Sequence, residues 1–398
     1  MDKILDNIKG DRFIWIIVLL LSIFSLLAVY SSTGTLAYKY QSGNTEYYLI
    51  KHFSLLLFGL VLMYLAHLPN YRIYSRISQL LLIISVPLLL YTLFFGSDIN
   101  DAKRWITLPG INLSFQTSDL AKLALIMFTA RFLSKRQEEI KTFKRGFLPI
   151  ILTIGFVCAI IAPADLSSAA ILFMTCLLIM FIGRVNMKHI FATIGAGLGI
   201  LAIIILLVFT FPEVGRFNTW KNRVEAFLGD ETEVYQVQQS KIAIAEGGLI
   251  GKGPGNSTQR NFLPHPYSDF IFAIVLEEYG LLGAIFIIFL YLAFLYRAVK
   301  IVIKSPGTYG ALLAIGLAIA LVIQAFINMA VAVNLLPVTG LTLPLVSMGG
   351  TSIWFTSIAI GIILSVSRNN QLEEEKEHAR EQEELGKKEK LAKELAVE

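Results

Sequence analysis

Apolar runs of about 20 residues alternate with short polar segments along the chain. They fall at 13–30, 48–67, 77–95, 119–134, 147–163, 166–183, 189–211, 269–297, 308–331 and 345–367. A run of this length spans the hydrocarbon core of a bilayer as a helix. Inside a bilayer every backbone polar group must find its partner within the protein, which leaves helices or closed barrels. The pattern predicts an all-α, polytopic membrane protein with about ten transmembrane helices. The fifth and sixth runs are joined by almost no chain. One long polar segment, 212–268, separates the seventh from the eighth.

Charge sets the orientation. Arg72 and Arg76, the stretch "SKRQEEIKTFKRG", Arg184 with Lys188, and "YRAVKIVIKSP" occupy alternate short loops. The positive-inside bias then puts both termini in the cytoplasm and the large loop outside. That loop keeps Arg216, Lys221, Arg223, Lys241, Lys252 and Arg260. Long loops obey the bias weakly, and external cations suit an anionic partner. The basic N-terminus "MDKILDNIKGDRF" leads into the first run with no small-residue cleavage site and reads as a retained anchor.

The transmembrane part ends near Ser367, giving a 1–367 membrane domain and a 368–398 charged cytoplasmic tail. The tail, rich in Glu, Lys and Ala, fits a solvated helix or a disordered segment. Its two roles are solubilisation or docking of a cytoplasmic partner.

Composition adds exclusions. The chain is 55% hydrophobic and 16% charged, with a mean hydropathy of +0.66, so it suits a bilayer. Cys158 and Cys176 lie inside apolar runs, and the five histidines lack zinc-type spacing. "GGLIGKGPGNS" matches no phosphate-binding loop pattern, and nothing points to nucleic acid.

Polar groups at membrane depth are costly; a central Lys costs about 2.5–3.5 kcal/mol on insertion scales. Asp119 and Lys122 share one face at the outer start of the fourth run. They read as a local ion pair or as a cation facing an outer cavity. Glu277 and Glu278 fall in the eighth run; on the helical wheel Glu277 lies within about 80° of Asp269 and Glu278 nearly opposite Asp269, with helix-to-helix ion pairing the favoured account. Gln324 and Asn328 form one polar stripe, which interhelical hydrogen bonds explain. The Pro- and Gly-rich "LLPVTGLTLPLVSMGGTS" is tolerated at depth only when buried or lining a cavity.

The octapeptide "LPHPYSDF", residues 263–270, puts Asp269 at the mouth of the eighth run behind two prolines. Ser268 or Asp269 as a helix cap is one reading. Asp269 as a group doing chemistry at the membrane surface is the other.

Four stretches, "AKRWITLPGINLSFQTSDLAKLAL", "VYQVQQSKIAIAEGGLIGKGPGNS", "LPHPYSDFIFAIVLEEYG" and "LLPVTGLTLPLVSMGGTS", occur in this order. Together they resemble the SEDS proteins (shape, elongation, division and sporulation), the FtsW and RodA type. "GNSTQR" and "GLTLP" look more like the FtsW side. The resemblance implies a peptidoglycan glycosyltransferase that polymerises lipid II at the outer face of the bacterial cytoplasmic membrane during division. It implies a class B penicillin-binding protein and other divisome proteins as partners.

By position, the resemblance makes Asp269 the catalytic base. It makes Arg104, Trp105, Gln116, Ser118 and Lys122 substrate contacts, with Gln239, Ser240, Lys252 and Ser347 as further ones. Asp119, Glu277, Glu278 and Asn328 become intramembrane polar residues with structural roles. A divalent cation, Mg²⁺ or Mn²⁺, is implied without a dedicated protein cage, with Asp269 as its one candidate ligand. The chain departs from the family pattern at Thr117, Asp119, His265, Tyr267, Ser268 and Met348, and "PADLSSA" loosens another motif. The family's motif histidine has no counterpart to carry its role. Trp105 fits either a sugar or lipid contact or an interfacial belt.

A sugar pyrophosphate leaves without protonation, so one carboxylate base and a positive patch suffice, unlike the two carboxylates of a glycosidase. The alternatives are a flippase for lipid II and a non-catalytic scaffold of the division complex.

Overall fold

The computed structural model describes residues 9–99, 102–108, 113–211, 213, 217–228 and 235–395. Arg216 and residues 109–112 lie outside them. Thirteen α-helices and a small sheet are present among the described residues. The first part of the chain forms α1 (Arg12–Ser32), α2 (Gly34–Tyr40), α3 (Thr45–His67) and α4 (Tyr71–Phe95). After the sheet come α5 (Thr117–Lys135), α6 (Leu148–Ile161), α7 (Leu166–Ile182) and α8 (Met187–Thr210). The long loop holds α9 (Phe217–Leu228) and α10 (Tyr235–Gly247), followed by α11 (Ile271–Ile303), α12 (Thr308–Ala332) and α13 (Ser352–Leu395).

Among the described residues, eight helical stretches are long and apolar enough to cross a membrane: those containing α1, α3, α4, α6, α8, α11, α12 and α13. Helix α7 is apolar but has 17 residues. Helix α5 carries Asp119, Lys122, Arg131 and Lys135, yet it buries Ala121, Leu125, Met127 and Ala130 at the centre of the bundle. It packs on α4, α7 and α12, while α13 lies along α3 and α11 along α1 and α12. Helix α8 buries only Ile190 and Val208, so its apolar surface faces outward.

Helix starts follow local capping chemistry. Asp11, Asn44, Asn70, Asp165 and Asn186 each accept a backbone N–H of the helix they open.

Two elements differ from the hydropathy reading. An antiparallel sheet, β1 (Ser97–Ile99), β2 (Ala102–Leu108) and β3 (Leu113–Gln116), replaces featureless loop in an otherwise helical chain. The last span begins at Ser352 rather than near 345. Pro344 has no N–H to donate, and Leu345 and Gly350 take positive φ values of 62° and 57°, so this backbone does not continue as a helix. Once started, α13 runs without a break from the membrane segment through the charged tail to Leu395.

The glycine-rich segment after α10 has a packing role. Gly280 (φ 63°, ψ −164°) kinks α11. Lys252 and Gly253 donate backbone N–H groups to the Glu277 and Glu278 carbonyls at 2.9 Å. A Cβ on Gly251 would lie 2.2 Å from the Glu278 carbonyl oxygen, so only glycine lets the two backbones meet.

Candidate active site

The sheet brings distant polar residues to one place. Trp105 on β2 is paired across from Gln116 on β3. Gln116 is the N-cap residue of α5 and makes no side-chain cap bond; its Nε2 donates to Ser118 Oγ at 2.9 Å. One turn later Lys122 pairs with Asp119 at 2.7 Å. Both are mostly buried, and Asp119 Oδ2 has no hydrogen-bond partner among the described residues. Beside Trp105, Arg104 pairs with Asp165 at 2.9 Å. Asp165 also caps α7 through the Ser168 N–H and accepts from Ser168 Oγ, so the guanidinium is anchored to a helix end.

Asp269 faces this group from the other side. Helix α11 starts at Ile271 with Phe270 as its N-cap and no side-chain cap bond, so neither Ser268 nor Asp269 caps it. Instead Ser268 Oγ donates to Asp269 Oδ1 at 2.8 Å. Oδ2 carries no hydrogen bond among the described residues and lies 3.6 Å from where a Cβ on Gly340 would stand.

The "GLTLPLVSMGG" segment holds the Asp269 backbone. Ser347 Oγ donates to the Ser268 carbonyl at 2.7 Å, and Met348 N donates to the Tyr267 carbonyl at 2.9 Å. Asn328 Nδ2 donates to the Asp269 carbonyl at 2.9 Å and to the Leu341 carbonyl at 2.6 Å. The irregular backbone is therefore satisfied by α12 and by the loop that carries the carboxylate.

These groups line one cavity of about 370 Å³: Arg104, Trp105, Gln116, Asp119, Lys122 and Asp269 all contribute. Of the other residues singled out in the sequence, Ser118 is buried just behind the wall, and Ser347 supports it without lining it. Gln239 and Ser240 sit on α10 outside the lining, with Ser240 Oγ bonded to the Ala332 carbonyl at 2.6 Å. Lys252 is also outside: it pairs with Glu246 and with Glu277. Burial opposes its charge, but those two carboxylates outweigh it and raise its pKa.

Glu277 pairs with Lys252 of the loop after α10 rather than with another helix, and Glu278 accepts from Ser31 Oγ and the Ser257 N–H. The glycines of this segment thus sit beside a polar lock, outside the cavity lining.

Three contributors were not singled out from the sequence. Asp165 lay in the loosened "PADLSSA" stretch, and Lys51 near the start of α3 lines the cavity. Arg223, one of the loop cations on α9, has its pKa lowered by burial and then by Arg104, against the attraction of Asp165 and Asp269. Its side chain lines a separate cavity of about 270 Å³ with Phe227, Gln236 and Asn334. The signal available was a basic residue on an amphipathic loop helix, which does not specify a partner. At the cavity mouth His265 Nδ1 meets Tyr267 OH at 3.2 Å; burial, and then Asp269, push the Tyr267 phenol up.

Comparison with known proteins agrees with this arrangement. The family model of the FtsW, RodA and SpoVE cell cycle proteins matches residues 11–372. Stage V sporulation protein E of Bacillus subtilis is 33% identical over 362 residues, covering 90% of this chain and 97% of that protein. A probable peptidoglycan glycosyltransferase FtsW from a Geobacter species is 34% identical over 373 residues, covering 90% and 96%. Among solved structures, RodA of Thermus thermophilus superposes with a TM-score of 0.66 at 24% identity, over 91% of this chain and 97% of that one. A chain from a peptidoglycan synthase complex, solved for the structural coordination of polymerization and crosslinking, gives 0.71 at 23%, over 91% and 98%. The fold is shared with both, and by the extent of the sequence match the chain belongs to the FtsW/RodA/SpoVE family of cell cycle proteins.

Proposed function

We propose that this protein is a peptidoglycan glycosyltransferase that polymerises lipid II at the outer face of the bacterial cytoplasmic membrane, in septal wall synthesis. The relatives named as FtsW support the activity. The observation that carries the mechanism is the Asp269 carboxylate, with one oxygen unbonded, sharing a cavity with Arg104 and Lys122.

In this reading ten helices cross the membrane, both termini are cytoplasmic, and the α9–α10 segment is external. The acceptor hydroxyl oxygen attacks the anomeric carbon of the donor from the face opposite the diphosphate. The new glycosidic C–O bond forms as the bond to the diphosphate oxygen breaks, with inversion. Asp269 takes the hydroxyl proton. Arg104 and Lys122 stabilise charge on the departing undecaprenyl pyrophosphate. Each is already partnered, by Asp165 and Asp119; these carboxylates hold the cations in place and moderate their charge until the diphosphate arrives. Gln116 and Trp105 line the approach to the sugars.

A divalent cation, Mg²⁺ or Mn²⁺, fits this site in one way. Among the described residues no group of three or more His, Cys, Asp or Glu side chains could hold a metal. One carboxylate plus substrate phosphates is an ordinary Mg²⁺ arrangement, and the unbonded oxygen of Asp269 is free to contribute it. The ion would neutralise diphosphate charge.

A class B penicillin-binding protein is the proposed partner, with other divisome proteins. Its single membrane helix fits a chain whose α8 and α11 expose long apolar surfaces. Gentle-detergent purification from the host should recover that partner.

The test is purified protein with lipid II and a divalent cation and no other polymerase. Glycan ladders are expected, lost in Lys122→Met and only reduced in Asp119→Asn, with both variants folded. Lipid II translocation without ladders would favour the flippase, and neither activity would favour the scaffold.

A further inference from the structure

We propose that the end of the α1–α11 pair remote from Asp269 binds the headgroup of an anionic phospholipid carrying a hydroxyl, the chemistry of phosphatidylglycerol and its dimer cardiolipin. A cavity of about 640 Å³ lies there, larger than the one at Asp269. Three carboxylates and five cations line it. Three of those cations are spoken for. Arg297 pairs with Asp11 at 2.5 Å, Lys304 with Glu374 at 3.1 Å, and Lys9 with Glu375 at 2.9 Å. Arg12 and Lys300 have no carboxylate partner among the described residues; Lys300 Nζ rests 4.7 Å from the Tyr296 ring centroid. The site thus keeps two exposed cations in excess.

A second observation points to the rest of the ligand. Asn370 is 4% exposed and lines the cavity. Its Nδ2 donates to the Ile301 carbonyl at 3.0 Å, whereas Oδ1 is buried with no partner. A buried acceptor left unbonded is costly, and a headgroup hydroxyl would satisfy it. Choline offers no donor. Ethanolamine offers one but leaves the excess positive charge unmatched.

The surroundings favour a lipid over a free anion. Phe13 is 58% exposed, Tyr296 58% and Ile303 77%, all beside the cavity on the outward faces of α1 and α11. Acyl chains would lie against them while the phosphodiester meets Arg12 and Lys300. Basic pockets between membrane helices on the cytoplasmic side recognise anionic headgroups in this way. With both termini cytoplasmic, the lipid comes from the inner leaflet. An occupied site would also tie the N-terminus to the tail, because Lys9, Glu374 and Glu375 close its rim.

The test uses delipidated full-length protein in detergent, read by native mass spectrometry and thermal melting, so it does not depend on polymerisation. Phosphatidylglycerol or cardiolipin should bind at least about tenfold more tightly than phosphatidylcholine, in line with two basic residues at an anionic surface. Arg12→Gln with Lys300→Gln should erase that preference. Lys141→Gln with Lys144→Gln, on another loop, should retain it. Asn370→Ala should lower the preference for phosphatidylglycerol over phosphatidylmethanol, an anionic phosphodiester with no headgroup hydroxyl. Equal binding by the Arg12/Lys300 variant, or equal loss in the Lys141/Lys144 control, would overturn the site. Stabilisation by inorganic phosphate alone to the same degree would overturn the lipid assignment. An unchanged preference in Asn370→Ala would overturn the hydroxyl.

Discussion

Asp269 and Glu277 are both carboxylates at the N-terminal end of α11, and their surroundings are opposite. Glu277 is fully buried and accepts from Lys252 Nζ, Ser257 Oγ, the Thr258 N–H and hydroxyl, and the Gln259 N–H. Asp269 is half-buried and accepts one hydrogen bond, from its neighbour Ser268. A carboxylate has roughly four acceptor sites. Glu277 uses them to fasten the loop after α10 to the kinked helix. Asp269 keeps most of its capacity facing a cavity, as a base or ligand must. Burial of an acid in a membrane protein therefore does not by itself mark the chemistry; the unused acceptor capacity does.

The largest expected effect breaks the comparison at Asp269. Asp269→Asn should lower lipid II polymerisation by roughly 10²–10⁴-fold, the usual worth of a general base. Since Asp269 caps no helix, thermal stability should stay within about 1 kcal/mol. Near wild-type ladders from a well-folded Asn variant would remove Asp269 from the chemistry.

Glu277→Ala should do the reverse. It removes one of the two carboxylates that hold Lys252 and strands several donors around the loop, at a cost of about 1–3 kcal/mol for each buried donor left unsatisfied. The melting temperature should fall sharply, while protein that remains folded should polymerise within about tenfold of wild type, below the range expected for a lost base. A stable but inactive variant would mean that Glu277 belongs to the reaction.

The backbone around Glu277 gives a finer test. Gly251 and Gly255 both have positive φ, 88° and 79°. A Cβ at Gly251 meets the Glu278 carbonyl, whereas nothing lies within 4 Å of one at Gly255. Gly255→Ala should cost about 1–2 kcal/mol for its conformation alone, and Gly251→Ala clearly more. Equal costs would mean that the loop docks less closely than the Glu277 contacts require.

The comparison also explains what the sequence revealed. Hydropathy located the long helices because lipid imposes length and composition on each span independently. It missed β2 and β3, since strands in a short polar loop are defined by each other rather than by local period. It placed the last span too early because Leu341, Leu343, Leu345 and Val346 are apolar and buried without being helical. Asp269, Lys122 and Arg104 were legible through family motifs, but the Arg104–Asp165 pair joins residues 61 apart in sequence and left no periodic trace. Gly247 and Gly251 belong to a segment that matches no phosphate-binding loop, and Gly280 lies inside the eighth apolar run. Their reason, backbone against backbone, exists only once the chain is folded.

The smallest effect sharpens the comparison at the single bond that Asp269 does make. Ser268 Oγ is half-buried and donates to Oδ1 at 2.8 Å. That bond fixes which way the carboxylate turns and leaves Oδ2 toward the cavity. Ser268→Ala removes a donor without stranding a buried one, and the backbone ties from Ser347 and Asn328 remain. The bond is worth about 0.5–1.5 kcal/mol, so turnover should fall about two- to twelvefold with KM nearly unchanged. Thr keeps a hydroxyl at the same place, so Ser268→Thr should restore most of the rate. A loss as large as that of Asp269→Asn would make Ser268 a direct participant. No loss at all would mean that the backbone alone orients the base.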